Sequence, residues 1–488
     1  MSQQRTPLLT GLKKHANRKP YQFHIPGHKT GKGMDPEFRE LIGSDALAID
    51  LINISPLDDL HHPHGMIQEA QELAAEAFGA DYTYFSIQGT SGAIMAMIMA
   101  VCGPGDKLIV PRNVHKSVTS AIIFSGATPI FVHPELDESL GISHGITPDS
   151  VEKALHAHPD AKGVLVINPT YFGVSADLKR IVDIAHHANI PVLVDEAHGV
   201  HIHFHEQMPL SAMQAGADLA ATSVHKLGGS LTQSSVLNLR EGLVSHERVQ
   251  MVLSMLTTTS TSYILLASLD AARRNLAVNG HERLSKTIQL ANRTRKQINT
   301  IPNLYCVGEE LLGSEATYDM DPTKLIISVK QLGLTGYDVE VWLRKHYKIE
   351  VELSDLYNIL CIITPGDSEE ETDVLLQALS DLSQSHSPEE HTYDPNVTVP
   401  DIPVLALSPR DAFYSETETI PLLESAGRIS AEFMMVYPPG IPIFLPGEII
   451  TKENLDYISQ NIRAGLPVQG LQDETLEWIK VIKQHRPF

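Results

Sequence analysis

Cysteine is almost missing from this chain: 488 residues hold only Cys102, Cys306 and Cys361, far apart and without Cys-x-x-Cys spacing. That excludes a disulfide framework and a cysteine-ligated metal site, and it fits a reducing compartment. Positive charge is short too. Lys and Arg number 37 against 59 Asp and Glu, a formal net charge of -22. Such a chain repels a polyanion, so no nucleic-acid partner is expected, whereas a small cation suits it. Long apolar runs are lacking. The longest, Ala93 to Cys102, is half of the ~20 residues that a bilayer-spanning helix takes, so no membrane partner is expected either. The first twenty residues lack a signal peptide's apolar stretch, and internal repeats are absent. A cytoplasmic location is the expectation.

What is present is regular. With 42% hydrophobic residues the chain is folded, and its length implies two or three domains. Residues 1–30 read as an amphipathic turn and a loop. From residue 66 strands and helices alternate: helix 66–78, strand 82–87, buried helix 93–102, strand 107–111, helix 115–126, strand 128–133, helix 150–158, strand 163–169, helix 176–188, strand 191–198, strand 219–226 and helix 245–257. Alternation predicts an α/β fold with a mostly parallel sheet covered on both faces. Ligands of such sheets bind at the carboxyl ends of strands, where Gly89, Asp195 and Lys226 are expected. After residue 300 the segments 304–310, 323–330 and 358–364 read as antiparallel strands around a helix at 336–347. Ser368 and Glu371 form a capping box that opens a helix to about Leu382. Residues 383–403 are polar and proline-bearing, a linker or long loop; a proline-rich stretch at 437–448 and a final helix follow. The expected division is 1–30, a large cofactor domain 31–295, a small α+β domain 296–385 and a C-terminal domain 386–488.

The stretch DEAHGVHIHFH, 195–205, admits three readings. A helicase box would need a phosphate loop, G-x-x-x-x-G-K-[ST]. The nearest segment, Gly27 to Lys32, is one residue short, is followed by Gly33, and lies far from any strand–helix junction. A metal site would use His201, His203 and His205, which share a face if the segment is a strand; as a loop edge they are solvated histidines. The third reading begins at Lys226 in TSVHKLGG, taken with Asp195 31 residues upstream and Gly89-Thr90-Ser91-Gly92 between a strand and a helix. Pyridoxal phosphate needs a lysine amine to hold its aldehyde as a Schiff base. It needs a carboxylate beside its ring nitrogen and a helix N-terminus for its phosphate. Lys226, Asp195 and the small residues at 89–92 supply these. Ser223 and His225 are placed to hydrogen-bond the phosphate, and His115 to cover the ring face. Each signal alone is weak; GTSG is also an ordinary tight turn.

In this order and spacing GTSG, RNVHKS, DEAHG and SVHK resemble the Orn/Lys/Arg decarboxylases of the aspartate aminotransferase fold, and HIPGHK and GRISAEFMMVYPPGIPIFLPGE extend the resemblance through the whole chain. Within that family the chain is most similar to the short biosynthetic arginine decarboxylases of Bacillus-type bacteria. The resemblance implies a fold type I, pyridoxal phosphate-dependent transferase fold with a seven-stranded-type sheet and smaller α+β C-terminal domains. It implies that Lys226 carries the cofactor and Asp195 pairs with its ring nitrogen. His115 stacks on the ring, Ala197 lies against it, and Gly89, Thr90, Ser91, Ser223 and His225 surround the phosphate. His198 lines the pocket and, with Lys226, is a candidate to return a proton to the substrate carbon. No metal is expected, and the later histidines read as structural. Glu432, then Asp355, are the candidate readers of the substrate's distal cation. The implied reaction is decarboxylation of arginine to agmatine in polyamine biosynthesis; a lysine or ornithine substrate stays open, because a carboxylate can read either cation.

The family also implies shared active sites, with the segment around Thr259 and Ser260 reaching a neighbouring subunit's cofactor phosphate. A wing domain that helps larger members build decamers is not seen before HIPGHK, so a homodimer or tetramer is expected. Two rivals stay open. An aminotransferase or aldolase of the same fold is one, although no motif assigns the substrate-carboxylate arginine that transaminases use. A binding protein with a decayed site is the other, and the intact Lys226, Asp195 and His115 argue against it.

Overall fold

A computed structural model describes residues 2–386, 399–437, 440–463 and 466–483. Its centre is a seven-stranded sheet made of Tyr82–Ser86 (β1), Lys107–Pro111 (β2), Thr128–Val132 (β3), Gly163–Ile167 (β4), Val192–Asp195 (β5), Leu219–Thr222 (β6) and Ser235–Leu239 (β7). The spatial order is β1-β7-β6-β5-β4-β2-β3. Strands β3, β2, β4, β5 and β6 are mutually parallel, and β7 runs antiparallel to both of its neighbours. The strands are short and almost wholly buried, as apolar runs such as VLVD and LAAT require when helices cover both faces. One apolar cluster joins the helix Gly89–Val101 to one face of the sheet; a second joins the helices Pro148–Ala157 and Leu178–His187 to the other.

Several sequence expectations change. Residues 1–30 contain a helix, Pro7–Asn17, whose Leu8 and Leu12 are fully buried in a cluster with Ile67, Phe85 and Tyr263. Its Leu8 and Leu9 N–H groups donate to Asp270, so this segment is stitched into the large domain. Strand β7 was not anticipated. The strand expected over 219–226 ends at Thr222, and Lys226 stands on a one-turn helix, Val224–Leu227. A 36-residue helix, Tyr263–Ile298, crosses the expected boundary at 295/296 and runs from the large domain into the small one.

The small domain is an antiparallel sheet in the order Tyr305–Cys306, Lys324–Ser328, Asn358–Ile362, Leu353–Ser354, packed against the helices Gly336–Tyr347 and Glu369–Ser385. Ser368 and Glu371 form the anticipated capping box. The expected boundary at 385/386 adjoins residues 387–398, which lie outside the described residues. Beyond them the chain forms small antiparallel pairings and the helix Lys452–Arg463. That helix is not the final element, because Trp478–Ile482 returns to pair with Thr417–Pro421.

The C-terminal region is locked to the large domain by one buried ion pair. Arg112 follows β2, and its guanidinium meets Glu448 in a two-pronged contact at 2.5 and 2.7 Å, both side chains 1% exposed. Arg112 also donates to the Pro442 carbonyl and lies over the Phe131 ring. Removing one partner strands the other charge away from water. Glu448→Ala is therefore expected to cost about 3–5 kcal/mol, read as a lower urea midpoint for the cofactor-loaded protein. A midpoint shift worth under about 1 kcal/mol would show that the pair is not the lock.

Candidate active site

The carboxyl ends of β1, β5 and β6 meet at one edge of the sheet, and antiparallel β7 brings its first residue there as well. In register, Ser86 faces Ser235, and Val236 faces Thr222. This assembles three buried hydroxyls that are distant in sequence. Thr90 Oγ1 lies within hydrogen-bond reach of Ser223 Oγ and 2.7 Å from Ser235 Oγ. They surround the start of the helix Gly89–Val101, whose preceding residue, Gln88, makes no side-chain cap. The first N–H groups of a helix have no partner inside it, and the helix dipole makes that end an anion site. Gly89 has φ +69°, in the left-handed region, and a Cβ there would meet nothing nearer than the Gln233 carbonyl at 4.0 Å. The open approach and the hydroxyls together could hold a phosphate. Ser91 is half-buried on the first turn of the same helix. Ser235, whose hydroxyl joins this group, was not disclosed by the sequence.

Asp195 and Glu196 are neighbours with opposite duties, because successive side chains on an extended segment point apart. Glu196 turns inward, where its carboxylate accepts the Ala212 N–H and the Thr222 hydroxyl; burial pushes its pKa up to about 7. Asp195 ends β5, 5% exposed, with one oxygen accepting the Ala197 N–H. Burial pushes its pKa up to about 6, opposed by that hydrogen bond and by the charge of Lys226. Beside it Asn168 is fully buried, and neither end of its amide has a partner among the described residues. The Asn168 backbone N–H donates to the Asp195 carbonyl, so an orphaned side-chain amide and a desolvated acid share one strand-end edge. Both are groups that a polar cofactor ring can satisfy.

Lys226 opens into the cleft in front of them. The cleft walls hold its pKa below the usual lysine range by burial, opposed by Asp195 and Glu352. Its Nζ is 2.7 Å from His198 Nε2. His198 is buried, packs at 4.4 Å from the Tyr171 ring, and is held well below its ordinary pKa by burial and by the cations Lys324 and Lys226. His115 caps the helix Lys116–Ser125 through Nδ1 and leaves its ring exposed; burial of its polar end and nearby Lys226 lower its pKa. His225 Nδ1 is 2.8 Å from the Ser234 carbonyl, which can only accept, so that nitrogen carries the proton. His225 can then donate to an anion only as the imidazolium. Ala197 is half-buried beside Asp195.

The two expected substrate readers, Glu432 and Asp355, both accept backbone N–H groups. Both oxygens of Glu432 accept backbone N–H groups of its own domain, from Gln472 at 2.9 Å and Lys480 at 2.7 Å. Asp355 is buried and accepts the N–H groups of Tyr357 and Asn358; burial pushes its pKa up to about 6. Besides Asp195, the acid whose charge acts on the lysine is Glu352. It is exposed, accepts the Tyr171 hydroxyl at 2.6 Å, and its charge acts on both Lys226 and Lys324. Nothing in its local sequence, IEVELSD, marks it out. The segment His201–His205 is a 3-10 turn rather than a strand, and its histidines diverge to Asp321, Ser211 and Ser285. Among the described residues His205, Glu206 and His281 do lie together, but both His205 nitrogens are already engaged, by Ser285 and the Gln207 N–H.

The described groups fit pyridoxal phosphate: an anion cradle, an acid for the ring nitrogen, an orphaned amide beside it, and a lysine within the same cleft. Comparison with known proteins agrees. Residues 6–371 match the family model for the major domain of Orn/Lys/Arg decarboxylase, and residues 396–475 match its C-terminal domain. A protein of Bacillus subtilis (strain 168) named arginine decarboxylase is 69% identical over 487 residues, 100% of this chain and 99% of its own. One of Halalkalibacterium halodurans with the same name is 70% identical over 484 residues, 99% of each chain. Among solved structures, a Francisella novicida lysine decarboxylase superposes with a TM-score of 0.85 over 98% of this chain and 81% of its own, at 22% identity, which speaks for the fold.

Proposed function

The chain belongs to the Orn/Lys/Arg decarboxylase family, and from that premise we infer that it decarboxylates L-arginine to agmatine and carbon dioxide with pyridoxal 5'-phosphate, feeding polyamine synthesis. The observation that carries the chemistry is the convergence of Lys226, desolvated Asp195 and the uncapped, hydroxyl-lined helix end on one sheet edge. Whole-length identity to arginine decarboxylases carries the substrate.

When bound, the cofactor supplies an electron sink for the pair left on Cα as carbon dioxide departs. The chain's own groups do the rest. The N-terminal N–H groups of Gly89–Val101, with Thr90, Ser91, Ser223, Ser235 and His225, would hold the phosphate. Asp195 would keep the ring nitrogen protonated, His115 and Ala197 would lie against the ring, and Lys226 would hold the aldehyde. The Cα–carboxylate bond breaks, and a proton from the Lys226–His198 pair takes the place of carbon dioxide.

Glu352, held by Tyr171, reads the distal cation. Its carboxylate is the exposed acid acting on Lys226, and a guanidinium accepts two parallel hydrogen bonds from such a group. Glu352→Gln is expected to raise KM for arginine roughly 10–100-fold, the worth of a charge-assisted hydrogen bond, with a smaller change in kcat. A KM within twofold of the parent's returns the role to another acid. The direct test of the function is labelled carbon dioxide release from arginine, lysine and ornithine side by side. Arginine much the fastest supports it; lysine or ornithine preferred overturns the substrate.

The working unit is a homo-oligomer, a dimer or tetramer, in which Thr259 and Ser260 reach a neighbour's phosphate. Both are exposed on the loop between two helices, and Tyr21, Phe23 and Met255 expose 95%, 96% and 71% of their surface, which a second copy would cover. Sedimentation as a monomer at micromolar concentration rejects this. No described helix is long and apolar enough to cross a membrane, and all three cysteines are free and buried; a cytoplasmic enzyme fits both.

A further inference from the structure

Behind His198 lies a second lysine that neither cofactor binding nor substrate reading uses. Lys324 begins the strand Lys324–Ser328 of the small domain and is 0% exposed. Its stem runs against Gly173, where an added Cβ would come within 2.5 Å of Lys324 Cγ, so the glycine clears its path. Its Nζ ends 3.3 Å from His198 Nδ1, opposite the nitrogen that faces Lys226. Two amines from two domains thus bracket one imidazole.

The charges around the bracket are defined. Asp321, fully buried, accepts from His201 Nε2 and from the Thr323 N–H and hydroxyl. Burial works to raise its pKa, but His201, Lys324 and Thr323 hold it well below the usual carboxylate range. It is a permanent counter-ion for Lys324. His198 faces the two lysines, His201, Asp321 and the Tyr171 ring; Lys226 faces Asp195, Glu352, His115 and His198. Burial lowers the Lys324 pKa to about 8, against Asp321 and Glu352, so it is mostly an ammonium near neutrality.

We propose that Lys324 is a positioning residue that sets the tautomer of His198 and thereby keeps Lys226 a free amine. An ammonium only donates, so His198 Nδ1 must accept. A neutral imidazole then carries its proton on Nε2 and donates it to Lys226 Nζ, which must receive it on a lone pair. An ammonium at Lys226 would leave His198 with a donor at each end. The bracket also conducts: a proton passing from Nε2 to Lys226 is replaced at Nδ1 from Lys324, leaving Lys324 as the amine and no net charge created. This rests on the reading of Lys226 as the cofactor lysine.

The test is the pH dependence of cofactor uptake by the full-length, cofactor-stripped protein, followed by absorbance after adding pyridoxal phosphate, since attack on the aldehyde needs the Lys226 lone pair. Removing the cation frees Nδ1 to carry the proton and lets Lys226 keep its own. Lys324→Met is expected to move the rising limb of the uptake rate up by about one pH unit, so that uptake at pH 7 falls about tenfold. Lys324→Arg, which keeps the charge, should hold the limb close to the parent's position. An unmoved limb in the Met variant, or an equal shift in both, overturns the proposal while the parent's uptake leaves the cofactor reading intact. No uptake by the parent overturns both. Should the Met variant not fold, nitrogen NMR of the parent labelled at histidine decides, with His198→Gln assigning the signal: an unprotonated Nδ1 supports the proposal, and a protonated Nδ1 overturns it.

Discussion

Replacing Lys226 with alanine is expected to cut arginine decarboxylation by about a thousandfold or more, because covalent anchoring and the nearest proton carrier go together. The loss should lie in chemistry rather than in folding. Lys226 is exposed on a one-turn helix, and among the described residues its amine bonds His198 alone, so alanine leaves no described buried partner unpaired apart from that ring. The thermal midpoint of the stripped protein should therefore stay close to the parent's. Borohydride should fix the cofactor to the parent chain and no longer to the variant, which mass spectrometry reads directly. A variant that keeps the fixed cofactor, or a tenth of the activity, would reassign the anchoring lysine, with Lys324 the first alternative.

Asp195→Asn should lower activity roughly 100- to 1000-fold, the cost of removing one member of a buried charge pair. Its effect on stability should have the opposite sign, and pH exposes it. The folded-state pKa is raised from 3.8 to about 6. Between those values the stripped folded protein holds a proton that the unfolded chain has released. The acid's contribution to stability is thus best at low pH and falls as pH rises through 6. At pH 8 an ionised, desolvated Asp195 costs on the order of 1–3 kcal/mol. The stripped Asn variant should be more stable than the parent at pH 8 and nearly equal to it at pH 3.5, below the unfolded pKa. Equal stability at both values would mean that Asp195 is not desolvated without the cofactor. Full activity would remove it from the ring nitrogen.

The chemistry-bearing residues that sit within a motif were legible in sequence. Lys226, Asp195 and the GTSG turn stand out because a strand end followed by small residues is a local pattern with a local cause. The alternation from residue 66 onward gave the parallel sheet for the same reason: apolar runs of four or five residues, such as GVLVI and VLVD, need cover on both faces. Strand β7 escaped because SVLNL follows the lysine turn without an intervening helix, and with it went Ser235. Its hydroxyl joins the cradle because β7 alone runs backwards. Asn168 escaped because an asparagine after a strand is ordinarily a turn residue; its orphaned amide exists only once the neighbouring strands bury it.

The acids show the division most clearly. In sequence Glu432, Asp355 and Glu352 are three carboxylates among 59 acids. Hydrogen bonding of the first two to nearby backbone, and the meeting of Glu352 with Tyr171 from 181 residues away, are facts of packing. So is the bracket of His198 by two lysines from different domains. The order of motifs along the chain determined the fold class and singled out the proposed cofactor and its candidate lysine, because periodicity and strand-end turns are short-range properties. Which acid lies nearest the candidate site with a free face, which histidine is held from charging and which amines flank it are set by tertiary structure alone. Burial and charge act through space, and the groups that set them are 28 and 126 residues apart in the chain.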